Sequence, residues 1–180
     1  MTEEQYLAIE RRAESRNEFY NGEMFVLAGA SRRHNMVVTN LVISLGTQLR
    51  GSPCNVYSSD MRVRVTNTGL NTYPDVVVTC GEEGFADDEQ DTLLNPLVIL
   101  EVLSESTEAY DWGKKFEHYQ NIGSLSTYVF ITQDAPRIER YVRQEDGRTW
   151  VYTETHEAES AVGIEAIGCD LRLEDVYAKL

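Results

Sequence analysis

The chain is short of basic residues: its 180 residues include 16 Lys and Arg against 30 Asp and Glu, for a formal net charge of −14. A deficit of that size argues against a broad nucleic-acid-binding face, because a polyanion repels a polyanion. Cysteine is scarce too. Cys54, Cys80 and Cys169 are an odd set with no paired spacing and no histidine cluster nearby, which reads most simply as thiols in a reducing cytoplasm. No apolar run, Leu97 to Leu100 included, approaches the roughly 20 residues that span a bilayer. The N-terminus, MTEEQYLAIERR, carries charge where a secretory signal needs an apolar stretch. Pro-rich linkers, internal repeats and low-complexity tracts are missing, so residues 1–180 are expected to form one domain, long enough to bury a core without metal or disulfide props. What is present, 42% apolar and 26% charged residues, is the composition of a globular protein.

The negative charge is uneven. Residues 1–64 hold 8 basic and 7 acidic side chains, and residues 65–180 hold 8 basic and 23 acidic. Much of the excess lies in residues 82–91 and from Glu154 to Asp175. The first of these lacks apolar periodicity and reads as a solvated connection. Periodicity predicts a helix from Thr2 to Ser15, opened by a Thr2/Gln5 capping box. A hairpin from Glu18 to Leu27 turns at Asn21-Gly22, and a helix capped by Ser31 runs to about Arg50. Strands are expected at Val56–Tyr57, Met61–Val65, Val76–Thr79 and Leu97–Leu103. An amphipathic helix from Thr107 to Ile122 is followed by strands at Leu125–Thr132, Arg137–Arg143 and Thr149–Thr155 and a helix from Leu173 to Leu180. The class is therefore α/β or α+β, with a mixed central sheet covered on both sides by helices.

Several residues sit where their chemistry is costly. Glu101 interrupts the apolar run from Leu97 to Leu103, where a buried carboxylate has to be paired, protonated or bound to a cation. The alternative is a solvent-facing edge, against which the apolar neighbours at both parities argue. Asp75 follows Pro74 at the mouth of the Val76–Val78 strand, as a turn residue or as the partner of Glu101 in a divalent-cation site. Mg²⁺ takes one or two carboxylates and keeps water or phosphate oxygens, so such a site needs neither His nor Cys. At about 100° per residue, Trp112, Phe116 and Tyr119 share one apolar stripe. Lys115 and Asp111 flank that stripe, and Lys114 points away. Lys115 either reaches inward or forms a surface pair with Asp111. His34 shares a core-facing stripe with Val37, Val38, Leu41 and Leu45, as a structural histidine or as a group that positions a phosphate or water. Glu18 adds an acidic group if its hairpin folds over the same cleft. His118 and His156 read as surface residues.

Pro74-Asp75, Glu101-Val102-Leu103, Ser104-Glu105-Ser106-Thr107 and Asp111…Lys115-Phe116…Tyr119 together resemble the Uma-type "putative restriction endonuclease" family of the PD-(D/E)XK nuclease superfamily. Glu18…Asn21-Gly22-Glu23 and His34 are similar to its N-terminal pattern. The resemblance runs from about Gln5 to Leu180 and is specific from Tyr73 to Asp134. It implies a restriction-endonuclease-like core, with Asp75 and Glu101 as metal-binding carboxylates and Lys115 as the catalytic lysine. The sequence departs from the superfamily motif at Leu103, where a lysine is expected. The reaction implied is Mg²⁺- or Mn²⁺-dependent hydrolysis of phosphodiesters in DNA, with a nuclease-fold binding or regulatory module as the alternative. A small-molecule phosphohydrolase lacks support, since no Gly-rich phosphate loop is present. The basic concentrations are Arg11-Arg12…Arg16, Arg32-Arg33 and Arg62…Arg64, of which Arg32 and Arg33 open the helix carrying His34 and are expected to contact DNA phosphates. Cutting a duplex with one site per strand favours a two-fold homodimer.

Overall fold

The structure, a computed structural model, describes residues 1–103 and 113–180. Its centre is a six-stranded mixed sheet in the order β11-β10-β9-β8-β6-β3. The strands are β3 (Cys54–Ser58), β6 (Val76–Cys80), β8 (Val98–Leu103), β9 (Thr127–Thr132), β10 (Ile138–Arg143) and β11 (Trp150–Thr155). β8 and β9 pair in parallel, from Val98 opposite Thr127 to Leu103 opposite Thr132, and the other neighbours are antiparallel. β8 is buried along its whole length, as its apolar run anticipates.

Alternation along the strands sends side chains to two cores. Val76, Val78, Val98, Leu100, Val102, Val129 and Ile131 pack against α2 (Arg32–Gln48) and against the ribbon of β12 (Ala161–Ile164) and β13 (Cys169–Arg172) with α4 (Leu173–Val176). On the opposite face, Val77, Ile99, Leu103, Tyr128 and Phe130 meet Tyr119 of α3 (residues 113–119) together with Val63, Val65 and Leu70 of a second sheet. That five-stranded sheet has the order β2-β1-β5-β4-β7. It comprises β1 (Asn17–Tyr20), β2 (Glu23–Val26), β4 (Arg62–Val65), β5 (Leu70–Thr72) and β7 (Thr92–Leu93). α1 (Glu3–Glu10) lies beside it, with Tyr6 fully buried and stacked on Phe19.

Local signals account for the N-terminal elements. Thr2 and Gln5 form the capping box of α1, and the Ser31 hydroxyl accepts from the His34 amide at the start of α2. Asn21 and Gly22 both adopt positive φ (50° and 84°), the geometry a two-residue turn needs to join the twisted strands β1 and β2. Of the helix expected from Thr107 to Ile122, residues 113–119 are helical; Asp111 and Trp112 lie outside the described residues.

Two expectations are corrected and a third is refined. Cys54 and Cys80 stand directly opposite each other on β3 and β6 and form a disulfide, leaving Cys169 as the free, buried thiol. Their partnership comes from strand register, which linear spacing does not reveal. The acidic segment 82–91 is tied down: Arg11 contacts Asp87 at 2.7 Å and Asp91 at 2.8 Å, and the buried Arg62 contacts Asp91 at 2.9 Å. His118 is half-buried, its Nδ1 2.8 Å from the Thr68 hydroxyl oxygen and its ring edge-on to Tyr20, whereas His156 is exposed as expected. No helix among the described residues is long and apolar enough to cross a membrane.

Candidate active site

Glu101 has the parity of Ile99 and Leu103, so its side chain enters the core on the α3 face and is only 4% exposed. A solvent-facing edge is thereby excluded. The buried carboxylate is satisfied from α3, where the Tyr119 hydroxyl donates to its Oε1 at 2.9 Å and the Lys115 ammonium stands 3.9 Å away. Burial, reinforced by the charge of Glu101, pushes the Tyr119 hydroxyl well above its ordinary pKa, which keeps it a donor. Lys114 is exposed, and Lys115 turns inward with a side chain 15% exposed, as the helical spacing predicts.

Asp75 stands one step beyond the Val76–Leu100 pair, on the row that carries Glu101. Its carboxylate folds over the end of the sheet. Oδ2 accepts from the Val102 amide at 2.8 Å, and His34 Nε2 lies 3.1 Å from each oxygen. His34 therefore faces a carboxylate from the first turn of α2. Its Nδ1 is buried, with no hydrogen-bond partner among the described residues.

Glu18 reaches the same region from the second sheet. The Phe19–Asn71 register sets it beside Thr72, whose hydroxyl donates to Glu18 Oε1. The same oxygen lies 3.0 Å from Lys115 Nζ. The structure thus brings together Asp75 with His34, and Glu101 with Lys115 and Glu18, at the seam between the two sheets. Asp111 lies outside the described residues. Thr72 and the Tyr119 hydroxyl were not singled out in the sequence. A tyrosine on an apolar stripe carries a signal, since a buried phenol requires a partner, but a threonine on a three-residue strand carries none.

Among the described residues no group of three or more His, Cys, Asp and Glu side chains converges on a metal position. Asp75 and Glu101 instead offer hard oxygen donors on adjacent strands, which suits a small divalent cation that retains water and substrate oxygens. Carboxylates are hard donors, unlike the thiolates and imidazoles of a zinc cage.

Of the basic concentrations, Arg62 is buried, Arg64 contacts Glu3 at 2.7 Å, and Arg11 clamps the acidic loop. Arg32 and Arg33 are exposed at the head of α2, where Arg33 Nε donates to the Gln133 carbonyl at 3.0 Å.

Known proteins are similar to this chain in sequence or in fold. The protein named Uncharacterized protein sll1609, of Synechocystis sp., is 36% identical over 154 residues, 86% of each chain. Uncharacterized protein slr1290, from the same organism, is 30% identical over 182 residues, covering 100% of this chain and 93% of that one. A crystal structure described as a putative nuclease belonging to DUF820, from Anabaena variabilis, superimposes with a TM-score of 0.80 over 99% of this chain and 98% of that one, at 16% identity. That likeness is one of fold. The Uma2 family, described as "Putative restriction endonuclease", matches residues 3–174. A match of that extent makes this chain a member of the Uma2 family.

Proposed function

We propose that the protein is a divalent-metal-dependent endonuclease that hydrolyses phosphodiester bonds in DNA. The observation that carries this reading is the placement of Glu101, a carboxylate buried in a central strand within 3.9 Å of the Lys115 ammonium and on the register row of Asp75. Structural carboxylates are seldom held there at such desolvation cost.

In this reading Asp75 and Glu101 would hold Mg²⁺ or Mn²⁺, which when bound would supply Lewis-acid polarisation of the phosphate and a lowered pKa for a water. Lys115 stabilises charge on the phosphoryl oxygens as water oxygen bonds to phosphorus and the ester P–O bond breaks. Tyr119 holds Glu101, and the Val102 amide holds Asp75, so neither carboxylate has to be ordered on substrate binding. Arg32 and Arg33 contact phosphates beside the cleft, and a two-fold dimer presents one such site to each strand.

The test is cleavage of plasmid DNA with Mg²⁺ or Mn²⁺ by the wild type beside Asp75→Ala, Glu101→Ala and Lys115→Ala. Wild-type nicking, lost by at least about 100-fold in each variant, is expected. Cleavage at the wild-type rate by Asp75→Ala and Glu101→Ala would falsify the assignment. DNA association that persists without cleavage in every form would make the protein a binding module.

A further inference from the structure

We propose that Glu18 is a positioning residue of the reaction, acting through Lys115 rather than on the metal; the inference rests on the nuclease reading above. Glu18 belongs to the second sheet, whereas Asp75 and Glu101 belong to or adjoin the central one. Its Oε1 stands 3.0 Å from Lys115 Nζ, against 3.9 Å for Glu101 Oε1. The first is a charge-assisted hydrogen-bond distance and the second an ion-pair distance, so of these two carboxylates Glu18 is the one that directs the ammonium.

That carboxylate is itself held in place. The Thr72 hydroxyl, fully buried, donates to the oxygen that faces Lys115, and the β1–β5 pairing fixes Glu18 beside Thr72. A second contact keeps β1 on α3: the Tyr20 ring meets the His118 ring edge-on, with centroids 4.7 Å apart. Residues two apart on a strand share a face, as do residues three apart on a helix, so Glu18–Lys115 and Tyr20–His118 are two successive clasps between the same elements. Lys115 is a flexible four-carbon chain, and an ammonium left to roam such a stem loses directional effect at a transition state. Glu18 supplies the fixed anchor. Glu101 is already oriented by the Tyr119 hydroxyl.

The experiment is a double-mutant cycle on the full chain with Glu18→Gln, Lys115→Met and the pair, each checked for native circular dichroism and unfolding temperature. Plasmid cleavage in Mn²⁺ is expected to fall roughly tenfold or more in kcat for Glu18→Gln, with KM little changed. The double variant should be no worse than Lys115→Met alone, because Glu18 acts through that lysine. Multiplying losses, or wild-type kcat in Glu18→Gln, would overturn the proposal. A second arm reads Lys115 directly, as its rate of acylation by acetic anhydride, followed by mass spectrometry without metal or DNA. Glu18→Gln should acylate Lys115 several-fold faster, and an unchanged rate overturns the proposal whether or not the wild type cuts DNA. Absence of cleavage by the wild type, with faster acylation in Glu18→Gln, would sink the nuclease reading and leave the Glu18–Lys115 coupling standing. If Glu18→Gln does not fold, Thr72→Val, which keeps the shape and removes the hydroxyl, takes its place in both arms with the same expected directions.

Discussion

A carboxylate on a central strand is tolerated through a hydrogen-bond donor, a cation or both, and Glu101 has both within reach of one oxygen. Tyr119→Phe removes the neutral donor and leaves a buried charge less satisfied. A loss of about 1–3 kcal/mol is expected, read from the urea midpoint. The double replacement Glu101→Leu with Tyr119→Phe takes out both partners, so much of that stability should return while cleavage stays lost. Unchanged stability in Tyr119→Phe would show that the hydroxyl is not needed. The inward turn of Lys115 and the oddity of Glu101 were legible because each follows from local arithmetic, a helical wheel and an apolar run. The contact of His34 with Asp75 and the role of Thr72 were not, because each partner lies on a different element.

At the scale of elements, an acidic connection becomes ordered structure. Arg11 at the end of α1 and Arg62 on β4 converge on Asp91, and Asp87 joins from the same loop. Hydrogen bonds from Arg11, outweighing the opposing effect of burial, hold the Asp91 carboxyl well below the usual carboxylate range. A carboxyl whose native pKa is depressed stabilises the fold at pH above its unfolded value of about 4 and loses that contribution as pH falls through the native value. Asp91→Asn should therefore be less stable than the wild type near neutrality and converge with it in acid. Thermal unfolding from about pH 2 to about pH 6 would reveal this, and parallel curves would refute it. Polarity alone marks segment 82–91 as solvated, since its cationic partners sit far back in the chain. The same limit hid the Cys54–Cys80 bridge and the short strands β5, β7, β12 and β13, whereas α2 and the Asn21-Gly22 hairpin carry their instructions in adjacent residues.

For the molecule as a whole, the charge of −14 leaves little surface for a polyanion, and several arginines of the near-neutral N-terminal part are already committed to carboxylates. Arg32 and Arg33 are exposed at the head of α2, next to His34 in the chain, and on the reading proposed above they are the pair that would meet DNA phosphates. Replacing each by Ala should weaken DNA binding evenly across sequences and lower the slope of log affinity against log salt by about 1. A slope that does not move would place the DNA elsewhere.

Because Glu18, Asp75, Glu101 and Lys115 arrive from one hairpin, two strands and a later helix on two sheets, no short stretch of the chain contains the site. The parallel β8–β9 pair and the docking of β1 onto α3 are long-range closures, the slow kind in folding. The site therefore serves as a clock for assembly. On the nuclease reading proposed above, a growing or partly folded chain would be harmless to any DNA around it, hydrolytic capacity arriving only once both sheets have closed.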